Sequence, residues 1–121
     1  METSTLLIIT TIGPENPEKA SLPFVLATAS QALDVEVTMF LQSSAVILAR
    51  EGEAGKVNAP GFQPLGEMLD TFLEGGGKLY LCSPCIKERN ISKEELITGA
   101  EIGAAGTLAS SVMEASKVVS Y

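Results

Sequence analysis

"PLGEMLDTFLEGGGKLYLCSPC", residues 64–85, changes its period midway. Leu65, Met68, Leu69 and Phe72 recur at helical spacing, and Gly75-Gly76-Gly77 then supplies backbone that tolerates left-handed angles. "KLYLC", residues 78–82, is a short β-rich run, and Ser83-Pro84 starts a second helix immediately after it. The segment therefore reads helix, strand, helix. Such a unit belongs to an α/β sheet, because each crossover helix packs its apolar stripe back on the strands it joins.

The flanking sequence repeats the alternation. "TLLIITTI", residues 5–12, is an apolar run without clean alternation, as expected of a strand covered on both faces, and Gly13-Pro14 ends it. After the loop "GPENPEK", Ser21, Leu22 and Pro23 are expected to open a helix, with Ser21 as N-cap. Leu22, Leu26, Ala29 and Leu33 form its expected sheet-facing stripe. "VEVTMF", residues 35–40, is a second strand, "LQSSAVILA" a short helix or turn, and residues 51–64 a loop rich in Gly, Pro and charge. In "SKEEL", Ser92 and Glu95 have capping-box spacing. Residues 100–102 read as a fourth strand, Leu108, Val112 and Ala115 share one side of a last helix, and "KVVSY" is a fifth strand. The expectation is one α/β domain over residues 1–121, with a mostly parallel five-stranded sheet covered on both faces.

Composition agrees with a compact domain and removes several function classes. At 121 residues the chain is long enough to bury a core without disulfides or metal. A formal charge of −7 and only eight scattered basic residues argue against nucleic acid, whose binding draws on clustered Lys and Arg. No run approaches the ~20 apolar residues of a membrane span. The start carries Glu2 in place of a basic region, and threonines interrupt the apolar run at Leu6–Ile9, so no export signal is expected. The expected location is the cytoplasm, where a close cysteine pair points to redox chemistry or metal before a structural bridge.

Cys82 and Cys85 are the two cysteines. At a strand-to-helix junction Cys82 is expected to be partly exposed and ionised near neutrality, stabilised by amide hydrogens, with Cys85 in the first helical turn and Lys87 and Arg89 adding positive charge. The alternative is that both are small apolar residues filling space. Zinc needs four ligands, and two cysteines without histidine or a second CxxC leave that set incomplete within one chain, so no metal is expected. The lack of histidine also excludes Ser-His-Asp and Cys-His devices. Glu51 with Glu53 and Glu94 with Glu95 read as solvated carboxylates. "TTIGPENPEK" has one glycine and neither GxGxxG nor a P-loop lysine, so no nucleotide, flavin or other cofactor is expected. Loops leaving the carboxyl ends of parallel strands converge, which brings together residues 13–19, 42–44 and 82–85. Gly13, Gln42, Ser43, Ser83 and Arg89 are accordingly the candidate substrate contacts beside Cys82 and Cys85.

"CSPC" is similar to thioredoxin-type motifs, but it follows the third strand instead of the first, and no proline after Pro84 is available for the cis-proline of that fold. The chain more closely resembles the DsrE-like family, which includes the DsrEFH and Tus sulfur-relay subunits and homologues labelled predicted peroxiredoxins. The resemblance runs through "GPENPEKASLPFVLATAS", "VEVTMFLQSSAVILAR", "PLGEMLDTFLEGGGKLYLCSPCIKERNI" and "GAEIGAAGTLASSVMEASKVVSY". Its strongest element is the strand-Cys-helix segment with Arg89 seven residues after Cys82. That likeness implies a three-layer α/β/α domain assembled as trimers or hexamers, with Cys82 carrying a persulfide between sulfur donor and acceptor proteins. Cys85 has no counterpart in many sulfur-relay members, and Asn90 stands where relatives often carry glycine. Sulfur transfer or thiol redox is thus the implied function, and a non-catalytic subunit binding a small ligand or protein is the alternative.

Overall fold

The computed structural model describes residues 4–121. Five parallel strands, β1 (Thr5–Thr10), β2 (Glu36–Leu41), β3 (Lys78–Cys82), β4 (Ala100–Gly103) and β5 (Lys117–Ser120), form one sheet in the order β4-β3-β2-β1-β5. The helices are α1 (Pro17–Ala32), α2 (Leu65–Glu74), α3 (Ser83–Glu88) and α4 (Ala105–Glu114), with a 3₁₀ helix over Ser43–Ala49 after β2. Three successive crossovers step from β1 to β4 in one direction, and the last returns to pair β5 with β1. Since parallel crossovers keep one hand, that reversal puts α4 on the face opposite α1 and α2.

Side-chain alternation matches this three-layer arrangement. Leu6 and Ile8, Val37, Met39 and Leu41, and Leu79 and Leu81 point into a core with Phe24 and Ala27 of α1 and Leu65, Met68, Leu69 and Phe72 of α2. Phe24 and Phe72 meet edge to face with centroids 6.5 Å apart. The other face carries Leu7, Phe40 and Tyr80, and the last two rings stack at 6.1 Å. Gly103 lies against the Phe40 ring and Thr107 of α4, which fixes α4 on that side.

The helix α2 and strand β3 occupy the residues their patterns predict, and all four expected α2 stripe residues are buried. The start and the phase of α1 differ from expectation. It begins at Pro17, because Asn16 Oδ1 accepts the Lys19 amide at 3.1 Å and the proline follows as the first helical residue. Ser21 is buried inside the helix and its Oγ donates to Pro17 O at 2.8 Å. The sheet-facing residues are Ala20, Ser21, Pro23, Phe24 and Ala27, whereas Leu22 and Val25 face out and Leu33, beyond the helix end, is 78% exposed. Apolar residues surround α1, so spacing alone does not choose its phase; the bulk of Phe24 does. The capping box at Ser92 and Glu95 is present, closing a single 3₁₀ turn over Lys93–Glu95.

Candidate functional site

Three loops meet at the carboxyl edge of the sheet, as strand polarity requires. Gly13, after β1, donates its amide to Ser44 Oγ at 3.1 Å and to Glu15 Oε2 at 3.3 Å. Ser44 Oγ donates in turn to Glu15 Oε2 at 2.5 Å and lies 3.4 Å from the Thr11 carbonyl. A Cβ on Gly13 would stand 2.1 Å from Ser44 O, so only glycine lets the first two loops come this close. Ser43 holds a left-handed φ of +53°, an uncommon angle for a residue with a side chain. Its amide points at the third loop and donates to Cys85 Sγ at 3.2 Å.

Cys82 closes β3 and is the N-cap residue of α3, with Cys85 one turn inside; both are free thiols with partial exposure. Arg89, at the end of α3, folds back so that Nη1 donates to Cys85 O at 3.2 Å. Asn90 follows with φ +53°, the left-handed residue that lets the chain leave α3.

The surroundings of Cys82 pull against the expected ionised state. Its thiol is pushed above the ordinary range, first by burial and then by the neighbouring Cys85 sulfur, which favours a proton on Cys82; the Cys85 amide and the Arg89 guanidinium pull only weakly the other way. No side-chain hydrogen bond caps α3 at Cys82, and a helix of six residues offers a small dipole. Glu15 moves in the opposite sense. The Ser44 hydroxyl holds its carboxyl below the usual range against some burial, with help from nearby amides and Arg89.

Of the residues singled out from sequence, the structure brings Gly13, Ser43, Cys82, Cys85 and Arg89 together. Gln42 sits beside them with its backbone amide on Thr10 O at 2.9 Å, and Ser83 is the first residue of α3, but neither side chain joins the hydrogen-bond network. Glu15 and Ser44 are the members that sequence reasoning did not select. Nothing in the spacing of "GPENPEK" separates Glu15 from Glu18, and only the fold shows which one reaches Ser44. Among the described residues no group of three or more Asp, Glu or Cys side chains could hold a metal ion. Two surface cavities, of about 690 and 600 Å³, lie elsewhere, and neither is lined by a cysteine.

Fold and site together define a three-layer α/β/α domain with a thiol pair at the carboxyl edge of an all-parallel sheet. The chain belongs to the DsrE/DsrF-like family, whose sequence profile matches residues 4–121. Protein YchN of Escherichia coli K12 is 31% identical over 101 residues, covering 84% of this chain and 83% of YchN. The crystal structure of the E. coli ychN protein superposes with a TM-score of 0.84 at 27% identity, over 98% of this chain and 100% of that one. Uncharacterized protein MJ0760 of Methanocaldococcus jannaschii is 35% identical over 102 residues, 84% of this chain, which spans only 37% of that relative's length.

Proposed function

We propose that this chain is a cytoplasmic sulfur-transfer or thiol-redox protein whose chemistry runs through Cys82 and Cys85. The observation that carries this reading is the pair of free thiols at the β3–α3 junction, at the point where three loops converge. Membership of a family often associated with sulfur relay supports it. In the proposed reaction one thiolate attacks the outer sulfur of a persulfide or polysulfide donor. A new S–S bond forms on the protein, the donor's S–S bond breaks, and the electron pair leaves with the donor thiolate. The second thiol then attacks the sulfur attached to the protein. This step closes a Cys82–Cys85 disulfide and expels sulfide, which takes the attacking thiol's proton; a cellular thiol reductant restores the pair. Gly13, Gln42, Ser43, Ser83 and Arg89 are the proposed contacts for donor or acceptor. The partners are sulfur donor and acceptor proteins.

Self-association into a trimer or hexamer is part of the proposal. No residue of α4 is fully buried, and Ile102, Val112, Met113, Val118 and Tyr121 are exposed along the last fifth of the chain. Exposed apolar side chains on the helix that covers this face, Val112 and Met113, are the proposed subunit contact. The competing reading, a non-catalytic binding subunit, is favoured by one observation, the partial burial that pushes the Cys82 thiol up.

Sulfide release from polysulfide in the presence of a thiol reductant separates the two. The parent is expected to turn over, and a double variant, Cys82→Ser with Cys85→Ser, is expected to fall to the uncatalysed background. Equal rates for the two proteins would leave only the binding subunit.

A further inference from the structure

Two opposite charges flank the thiol pair without closing on each other. Glu15, on the loop after β1, is fixed through Oε2 to the Ser44 hydroxyl at 2.5 Å and the Gly13 amide at 3.3 Å. Arg89, at the end of α3, is fixed through Nη1 to Cys85 O at 3.2 Å. Cys85 stands between the two anchors, because the loop that holds Glu15 through Ser44 also donates the Ser43 amide to Cys85 Sγ at 3.2 Å. The guanidinium helps to keep the Glu15 carboxyl below its usual range, so each charge lies in the field of the other. Yet the ion pairs among the described residues are Arg50 with Glu95 and Lys56 with Glu53. Both groups keep bonding capacity for a ligand: a carboxylate accepts more bonds than Gly13 and Ser44 donate, and the planar guanidinium has donors beyond Nη1.

We propose that Glu15 and Arg89 form a clamp for a zwitterion, and that the sulfur donor of this site is a free amino-acid hydropersulfide of the cysteine type, with its ammonium on Glu15 and its carboxylate on Arg89. The assignment rests on the sulfur-transfer reading above and names the class of donor. In such a molecule both charges sit on the carbon next to the sulfur-bearing one, so a donor that bridges Glu15 and Arg89 brings its S–S bond to the thiols between them. One thiolate of the pair attacks the outer sulfur, which keeps its hydrogen. The protein S–S bond forms, the donor's S–S bond breaks, and the electron pair leaves on the inner sulfur as the amino-acid thiolate. No oxidant or reductant enters this step. A cysteine within a protein chain carries neither free charge, and a donor with negative charge alone meets Glu15 unpaired, so the clamp discriminates against both.

The test mixes the reduced parent protein, near neutral pH, with the hydropersulfides of cysteine, 3-mercaptopropionate, which lacks the ammonium, and cysteamine, which lacks the carboxylate. The rate of protein modification is read by quenching and intact mass, and each rate is divided by that of the same donor with a free thiol, which removes the difference in leaving groups. The cysteine donor is expected to exceed each of the others by about tenfold or more, the effect of one charge-assisted hydrogen bond. Glu15→Gln should erase the advantage over mercaptopropionate alone, and Arg89→Gln the advantage over cysteamine alone; a loss of folded protein would lower all three rates together. Equal normalised rates in the parent overturn the clamp and leave sulfur transfer standing with another donor. Shielding of the thiols from iodoacetamide by S-methylcysteine, which has no sulfur to give, is the second measurement. Shielding by it, and not by S-methylcysteamine or 3-(methylthio)propionate, in a protein that gains no sulfur supports the clamp and removes the sulfur-transfer reading; neither shielding nor transfer overturns both.

Discussion

Gly13 and Ser43 hold the site at the scale of single atoms. A Cβ at Gly13 would meet the backbone of Ser44, not a flexible side chain, so neither loop can yield without moving a whole strand end. Gly13→Ala is therefore expected to destabilise the fold by about 2 kcal/mol or more in urea unfolding, and a change within about 0.5 kcal/mol would mean that the loops are not in contact. Glu15 supplies a pH signature for the same contact. Its folded carboxyl lies below its ordinary value of 4.5, so its contribution is fully present above that value and is lost as the pH falls through the lower, folded value. The stability difference between the parent and Glu15→Gln should accordingly shrink below pH 4.5 and stay level from there to neutrality. A constant difference through the acid range would show that Glu15 is not held as a carboxylate. At this scale the cysteines and Gly13 were legible from residue type and place in the chain. Glu15 was not, because its role depends on a hydrogen bond to a residue 29 positions away.

Among the elements, α2 and β3 follow from sequence because their patterns have one solution: Leu65, Met68, Leu69 and Phe72 form a single stripe and glycines bound it. Phe72 fills the space between α1, Gly77 and the sheet, and its removal to alanine should cost about 3–5 kcal/mol, read from the urea midpoint with the slope unchanged. The helix α1 shows where pattern fails. Leucines and alanines occur around its whole circumference, so the stripe drawn through Leu22 and Leu33 is as periodic as the buried one through Ala20, Phe24 and Ala27. Its start was misplaced for a related reason: Ser21 and Asn16 are both capping types, and Pro17 settles the choice in favour of Asn16. In β1, Thr10 Oγ1 is buried without a hydrogen-bond partner. Thr10→Val should thus be neutral or stabilising by up to about 1 kcal/mol in thermal unfolding, whereas a loss of that size would reveal a partner for the hydroxyl.

Over the whole molecule, burial is uneven. The sheet face under α1 and α2 is closed, while the final segment from Ala100 to Tyr121 buries a single residue, Gly103. Met113, 83% exposed on α4, is the direct probe of what covers that surface. Met113→Glu should leave the secondary structure intact and convert the proposed oligomer to monomers in light scattering; an unchanged mass would place the subunit contact elsewhere. The α/β class and the parallel sheet were readable from alternation alone, and the three-layer form from the family resemblance. The strand order and the unequal covering of the two faces were not, since both depend on the direction in which the chain returns after β4. The central claim, that Cys82 and Cys85 act as one device for sulfur, is tested most directly by intact mass after brief exposure to polysulfide. The parent is predicted to lose two hydrogens with sulfide released, while each single variant, Cys82→Ser or Cys85→Ser, cannot close the disulfide and shows no such loss. A parent whose mass is unchanged under conditions that modify a free thiol would contradict it.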